Sequence, residues 1–284
     1  MTTSQKYTFF FLLLFFFGAL KSEDFKIKEI EGLTSNRVFS VARDSTGYLW
    51  LGTDEGVNKF DGIKNTKYKS NIFDNTTLSS NRIWKIFVDE QNRVWVINDR
   101  GIDLYNRSKN NFKRFYTKSR PLHLLNEKDR IFLTTRQNGL FIIQKETEEQ
   151  TNFSFDPLDP LSISSSRFSE KQTTPAVRVF ESLWLGTTNG LNKINLQTQS
   201  ATRYYKEKEE AVETDTILAI HQTERGLLVG TSEGLVLYDE KQKETKKIAS
   251  GSVNNIVQIK EIDGVAILGK NRTLILGRNL EVEH

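Results

Sequence analysis

The stretch Trp50-Leu51-Gly52-Thr53-Asp54-Glu55-Gly56-Val57 returns along the chain at a near-constant distance. It reads Trp184-Leu185-Gly186-Thr187-Thr188-Asn189-Gly190-Leu191 and then Leu228-Val229-Gly230-Thr231-Ser232-Glu233-Gly234-Leu235. Weaker copies are Trp95-Val96-Ile97-Asn98-Asp99-Arg100-Gly101-Ile102 and Leu133-Thr134-Thr135-Arg136-Gln137-Asn138-Gly139-Leu140, with a decayed sixth at Ile267-Leu268-Gly269-Lys270-Asn271-Arg272-Thr273-Leu274. Their first residues stand 45, 38, 51, 44 and 39 positions apart. A period of roughly 40–50 residues is that of one propeller blade. A unit of this size cannot bury its own apolar faces and must stack on neighbours.

Working outward from the first copy gives the blade. Residues 38–42, Val-Phe-Ser-Val-Ala, read as an inner strand buried on both faces. Asp44-Ser45-Thr46-Gly47 is a turn, because Asp bonds its own backbone and Gly accepts positive φ. Residues 48–51 form the second strand, 57–60 a half-exposed third, and 64–69 a polar outer strand. Rising polarity over four strands describes a propeller blade. The second copy repeats the order at 83–88, 93–97, 101–105 and 111–116, with Asn92 in place of Gly47. Later blades drift: 122–125, 131–134, 140–143 and 153–155 in the third, an inner strand at 177–180 in the fourth, and comparable runs to residue 276. A connector, Asp156-Pro157-Leu158-Asp159-Pro160, separates the third from the fourth. The fold class expected is therefore all-β: a β-propeller of four-stranded antiparallel blades, six visible, within a ring of six or seven. Trp50, Trp95 and Trp184 are expected to fill wedges between blades, and the repeated glycines to serve turns and close packing.

The ends carry a different signal. Lys6 precedes a dense apolar run over 9–20, followed by Lys21-Ser22 and the charged Glu23-Asp24. That is the pattern of a secretory signal peptide over 1–22, with an uncleaved signal anchor as the alternative. The domain then covers 23–284. Residues 25–30 have outer-strand character, so six blades could close on them; the shortage of strand after residue 278 favours instead an incomplete propeller, the front of a longer protein. The chain has no cysteine, which excludes disulfides and thiolate chemistry. Without Lys6 and Lys21, 38 basic residues face 36 acidic ones, and the charges interleave. Neither that balance nor export suits a nucleic-acid partner.

Two phrases carry a family resemblance. They are Leu33-Thr34-Ser35-Asn36-Arg37-Val38-Phe39, with Arg43-Asp44-Ser45-Thr46-Gly47-Tyr48-Leu49-Trp50 after it, and Leu78-Ser79-Ser80-Asn81-Arg82-Ile83-Trp84, with Val88-Asp89 and Val94-Trp95 after it. They resemble the two-component regulator propeller repeat. That resemblance implies the periplasmic sensor region of a Bacteroidetes-type hybrid two-component system, which senses oligosaccharides and relays to a histidine kinase. It also implies partners absent from this chain: a membrane helix, kinase, receiver and DNA-binding domains.

No catalytic constellation stands out. His123, His221 and His284 lack metal-ligand neighbours, and no Gly-rich phosphate loop runs from a strand into a helix. No cofactor, metal or enzymatic activity is expected. Loops entering the inner strand and loops joining strands two and three should share one face. The first set supplies Asn36, Arg37, Asn81 and Arg82; the second supplies Asp54, Glu55, Asp99, Arg100, Arg136 and Asn138. Together they would make a polar rim suited to sugar hydroxyls or a carboxylate. The competing expectation is that the repeated Asn-Arg pair only holds the blade turn. In function, a periplasmic module binding an oligosaccharide stands against a dimerisation scaffold, and further behind, a propeller lyase or glycosidase.

Overall fold

A computed structural model describes residues 29–204, 216–242, 244–260, 264–270 and 272–280. The readings of a signal peptide over 1–22 and of a strand over 25–30 therefore lie outside the described residues, apart from 29 and 30, which are not in a strand. The chain divides into two compact units, Met1–Leu33 and Thr34–His284, and every sheet belongs to the second. Among the described residues there are six antiparallel sheets in sequence order, five of four strands and a last one of three. The first consists of Val38–Arg43, Leu49–Thr53, Gly56–Phe60 and Asn65–Tyr68. The inner strands of blades two to six are Ile83–Val88, Pro121–Asn126, Ala176–Val179, Ile217–Thr223 and Val253–Ile259. Among the described residues no helix is long and apolar enough to cross a membrane.

The core is divided among the gaps between consecutive blades. Five apolar clusters occupy five gaps, and each draws on both flanking sheets. Trp50, Trp95 and Trp184, at 0%, 0% and 2% exposure, are the wedges expected of them. Trp50 packs with Ile83 and Ile86 of the next blade, Trp95 with Ile131 and Leu133, and Trp184 with Ile217 and Ile220. Each large ring removes apolar area from water that neither blade could bury alone.

The Trp positions also explain the acidic turn upstream. Asp44 Oδ2 accepts the Trp50 indole N–H at 2.9 Å, and Asp89 Oδ2 accepts that of Trp95 at 2.9 Å. The six-residue spacing lets one carboxylate close the hairpin and satisfy the buried indole of the strand it leads into. Burial pushes the Asp44 carboxyl up, but bonds from Thr46, Trp50 and Arg107 outweigh it and hold the group at about 2. Its folded value lies below its unfolded one, so its stabilisation is complete above about pH 4 and is lost as pH falls towards 2. Asp44→Asn should therefore flatten the acid limb of the melting curve and lower the melting temperature at pH 7.

Glycine at the third place of the repeat answers a packing demand. A Cβ on Gly52 would lie 2.6 Å from Ile83 Cγ2, one on Gly186 2.4 Å from Ile217 Cγ2, and one on Gly230 2.6 Å from Val253 Cγ1. In each case the first residue of the next inner strand presses on bare backbone. The later Gly56 and Gly190 instead hold positive φ, +128° and +94°, at the hairpin turn. Asn92 adopts φ +62°, as its substitution for Gly47 required.

Three expectations need correction. Val38, Phe39 and Val41 are 37%, 41% and 59% exposed, so the first inner strand is not buried on both faces. Ser40 and Ala42 face blade two, Ser40 Oγ accepting from Ile86 N at 2.9 Å, whereas no blade among the described residues covers the side of Val41. The third and sixth copies of the repeat are each one residue out of register. Thr135 Oγ1 bonds Gly139 O as Thr53 Oγ1 bonds Gly56 O, so the loop is one residue longer and Phe132, not Leu133, stands where Trp50 does. In the sixth, Gly269 lies opposite Val253 as Thr53 lies opposite Val38, which puts Leu268 in the packing-glycine position. Leu268 is 36% exposed; with no further blade pressing there among the described residues, no glycine is required. Finally, the third blade's outer strand is Gln150–Phe153, set by pairing of Leu140 with Phe153.

Candidate functional site

The Ser/Thr of each family-like phrase is the anchor of a buried polar knot. Thr34 N donates to Asn58 Oδ1 (2.9 Å), Asn58 Nδ2 donates to Thr34 Oγ1 (2.7 Å), and Thr34 Oγ1 meets Thr53 Oγ1 (2.9 Å). Blade four repeats this with Ser164, Asn192 and Thr187. Blade two uses Ser79, Asp103 and Asn98, where Asp103 Oδ2 accepts from Ser79 N at 2.8 Å and Asn98 Nδ2 at 2.8 Å. Burial pushes the Asp103 carboxyl up to about 6, against the lowering effect of bonds from Ser79 and Asn98 and the Arg114 charge. These knots tie the loop entering the inner strand to the end of the second strand. That is why the two loop sets share one face.

On that face the predicted rim residues separate into two groups. Arg37 NH1 lies 3.2 Å from Asp54 Oδ2. The Asp54 carboxyl is held below its usual range by the Ser35 hydroxyl first, and also by the Arg37 and Arg82 charges. Asp99 Oδ1 accepts the indole N–H of Trp84 at 2.8 Å. The Arg82 guanidinium carbon sits 4.5 Å from the Trp84 ring centre. Arg37, Asp54, Arg82 and Asp99 are thus brought together. The others are not. Asn81 Oδ1 accepts from Ser70 N at 2.6 Å and serves the loop; Glu55 pairs with Lys69 at 3.5 Å. Asn138 N donates to Thr135 Oγ1, and its carbonyl accepts from Asn152. Asn36, Arg100 and Arg136 are exposed, with no side-chain partner among the described residues.

Sequence reasoning missed the centre of this group. Phe39 and Trp84 are rings 5.8 Å apart on adjacent inner strands, and Arg120 from blade three lies 4.1 Å over Trp84. Arg120 also pairs with Glu170 at 3.2 Å, while its buried Nε makes no hydrogen bond and stands 3.9 Å from Asp99. Beside them is a cavity of about 480 Å³ lined by Trp84, Lys85, Arg120, His123, Glu170 and Thr173 among others. That is a volume typical of small-ligand pockets. His123 is depressed by burial, partly offset by its bond to the Ser169 carbonyl. A signal existed: aromatic residues at the second position of an inner strand, Phe39 and Trp84, have no wedge role in the repeat.

Glu170 and Thr173 come from the long third spacing. Residues 169–175 run across the inner strands of later blades: Thr173 N bonds Leu218 O, and Thr173 Oγ1 bonds Asn254 O. Gln172, 2% exposed, spends its amide on Gly186 O, Ile217 O and Ser169 N. The extra length therefore forms one wall of the cavity rather than a surface loop. Among the described residues no cluster of three or more metal-ligating side chains occurs.

Residues 32–55 match the family model described as two component regulator propeller. The chain carries that repeat. The matched segment contains the first knot threonines, the Asp44–Trp50 turn and the Arg37–Asp54 pair, so two-component propeller chemistry here is scaffold and rim in one stretch. Over 76 residues the chain is 36% identical to Histidine kinase P4 of Formosa agariphila, covering 24% of this chain and 6% of that protein. In fold it is similar to the extracellular domain assigned to hybrid two component system BT3049 of B. thetaiotaomicron: TM-score 0.56, 21% identity, 91% of this chain and 36% of that one. A second B. thetaiotaomicron extracellular domain, assigned to one component system BT4673, gives TM-score 0.44 and 18% identity over 88% of this chain and 41% of that one. The chain thus spans well under two thirds of the length of these three proteins.

Proposed function

We propose that this two-component propeller is the exported, periplasmic ligand-sensing module of a longer hybrid sensor, and that it binds an oligosaccharide. The observation that carries the reading is Trp84. It is a partly exposed aromatic ring on an inner strand, bordered by Phe39, Arg82, Arg120 and Asp99, beside a cavity of about 480 Å³. A flat ring offers the apolar face of a sugar a surface, and guanidinium and carboxylate groups around it offer donors and acceptors to its hydroxyls. The kinase that would read the binding event belongs to the proposed parent, as does attachment to the membrane; the leader over 1–22 belongs to the same proposal.

Trp84→Ala should abolish glycan binding in calorimetric titration while shifting the melting temperature by only about 2–4 °C, since the ring is not in the blade wedge. Unchanged affinity in that variant would overturn the assignment. No catalytic step is assigned to this chain, and turnover of a glycan by the purified chain would contradict that. The scaffold reading has one observation in its favour. Val41 at one end of the blade series and Val257 and Ile275 at the other are 59%, 42% and 39% exposed. Self-association that saturates without any sugar would support it.

A further inference from the structure

The strand register places arginine at one recurrent position on this face. Val38, Ile83 and Pro121 are the first paired residues of their inner strands, opposite Thr53, Asn98 and Thr135. The residues directly before them are Arg37, Arg82 and Arg120. In blade four the inner strand begins at Ala176, opposite Leu185, so no arginine stands at this register position; Arg167 shares with Arg37 and Arg82 only its place three beyond the knot residue, Ser164. The Arg167 carbonyl accepts from Thr188 Oγ1 of the next loop at 3.2 Å. In blades five and six the same register position holds Thr216 and Ser252, before Ile217 and Val253. Arginine therefore holds this position in three consecutive blades, and two of the three, Arg82 and Arg120, flank Trp84.

Part of this charge is unspent. Arg37 faces Asp54, and Arg120 faces Glu170 and Asp99. Arg82 stacks on Trp84 without an ion pair, and Arg167 makes no side-chain ion pair among the described residues. The buried Arg120 Nε lacks a hydrogen-bond acceptor. Arg100 and Arg136, on the adjoining loops, are exposed and likewise without carboxylate partners. An arc of guanidinium groups next to an aromatic ring demands an anion with oxygen geometry, which Arg meets in bidentate fashion.

We infer that the ligand of this site is an anionic oligosaccharide, whose carboxylate or sulfate groups are held by Arg82 and Arg120 while a sugar ring stacks on Trp84. This deepens the oligosaccharide reading and rests on it. Neutral glycans would leave the arginine arc solvated and unpaired, and so gain nothing from it.

The test titrates the purified chain with three probes of equal length: an oligogalacturonide, a sulfated galacto-oligosaccharide and a neutral galacto-oligosaccharide. One of the anionic probes should bind at least tenfold more tightly than the neutral one, and its affinity should fall steeply between 50 and 500 mM salt as screening shortens the reach of the charges. Whichever anionic probe wins identifies the group recognised. Arg82→Gln and Arg120→Gln should each weaken it about tenfold, and Arg82→Lys nearly as much, because charge without the planar fork does not restore two-point contact. Arg278→Gln, paired with Glu224 away from this face, should leave the affinity unchanged and control for net charge. Equal or tighter binding of the neutral probe, or salt-independent binding, overturns the anionic class while leaving the oligosaccharide reading in place. Failure of all three probes, with a normal melting curve, overturns both.

Discussion

Replacing Asp103 by Asn is expected to raise the melting temperature at pH 7 and to leave it unchanged at pH 4. Asp103 is 0% exposed and occupies the place that Asn58 and Asn192 hold in blades one and four. Its Oδ2 accepts all three of its bonds, from Ser79 N, Ser79 Oγ and Asn98 Nδ2, while Oδ1 is buried without a partner. Burial lifts the folded carboxyl to about 6, above the 3.8 usual for an exposed aspartate. For an acid raised in this way, the folded state disfavours the ionised form. The penalty is absent below about pH 4, grows as pH rises towards 6, and is constant above it. Its full size is about 3 kcal/mol, which corresponds to roughly 5–10 °C in a domain of this length. Asn keeps the shape, donates from Nδ2 to Ser79 Oγ as the other blades do, and carries no charge. A melting series from pH 4 to 8 on both proteins measures the difference, and a constant offset across that range would show the ionisation assignment to be wrong.

The second large effect is a loss. Gly186→Ala places a methyl 2.4 Å from Ile217 Cγ2 and 2.5 Å from Ile217 Cβ. Ile217 is 0% exposed within the cluster between blades four and five, and its rotamer has little room to yield. Overpacking of this kind costs roughly 1–3 kcal/mol, or about 3–10 °C here. Because the cause is one contact, Gly186→Ala combined with Ile217→Ala should cost less than the sum of the two single changes. Leu268→Ala, at the same repeat position but 36% exposed, should move the melting temperature by only a degree or two. A gain or no change in Gly186→Ala would overturn the packing account, because replacing a glycine otherwise stabilises by lowering the entropy of the unfolded chain.

These two residues show where sequence reading stops. The period and the Trp-Leu-Gly-Thr phrase were enough to number the blades, since a motif that recurs at one structural depth reports a unit that stacks. They could not say which member of the phrase touches what. Gly52 and Gly56 look alike in sequence, yet one yields space to Ile83 and the other adopts φ +128°. In the third copy the turn glycine drew the alignment one residue away from the true register, because a loop length is invisible until its strands are paired; in the sixth, Gly269 drew it by standing in for the packing glycine, although its pairing with Val253 puts it one place later. The rim residues were named from loop position, and position alone merged Arg37 and Arg82 with Asn81, whose amide is consumed inside its own loop.

The amino-acid order by itself determined the all-β repeat architecture, the wedge tryptophans and the face on which polar loops gather, because these follow from local periodicity and turn chemistry. Tertiary structure alone decided the site. Trp84, Arg120, His123 and Glu170 are separated by up to 86 positions and meet only because consecutive blades turn their inner strands towards a common interior, with residues 169–175 laid across it. Likewise, only the packing shows that the side of Val41 meets no further blade among the described residues: a strand's alternation records that a face is apolar, not whether anything stands against it.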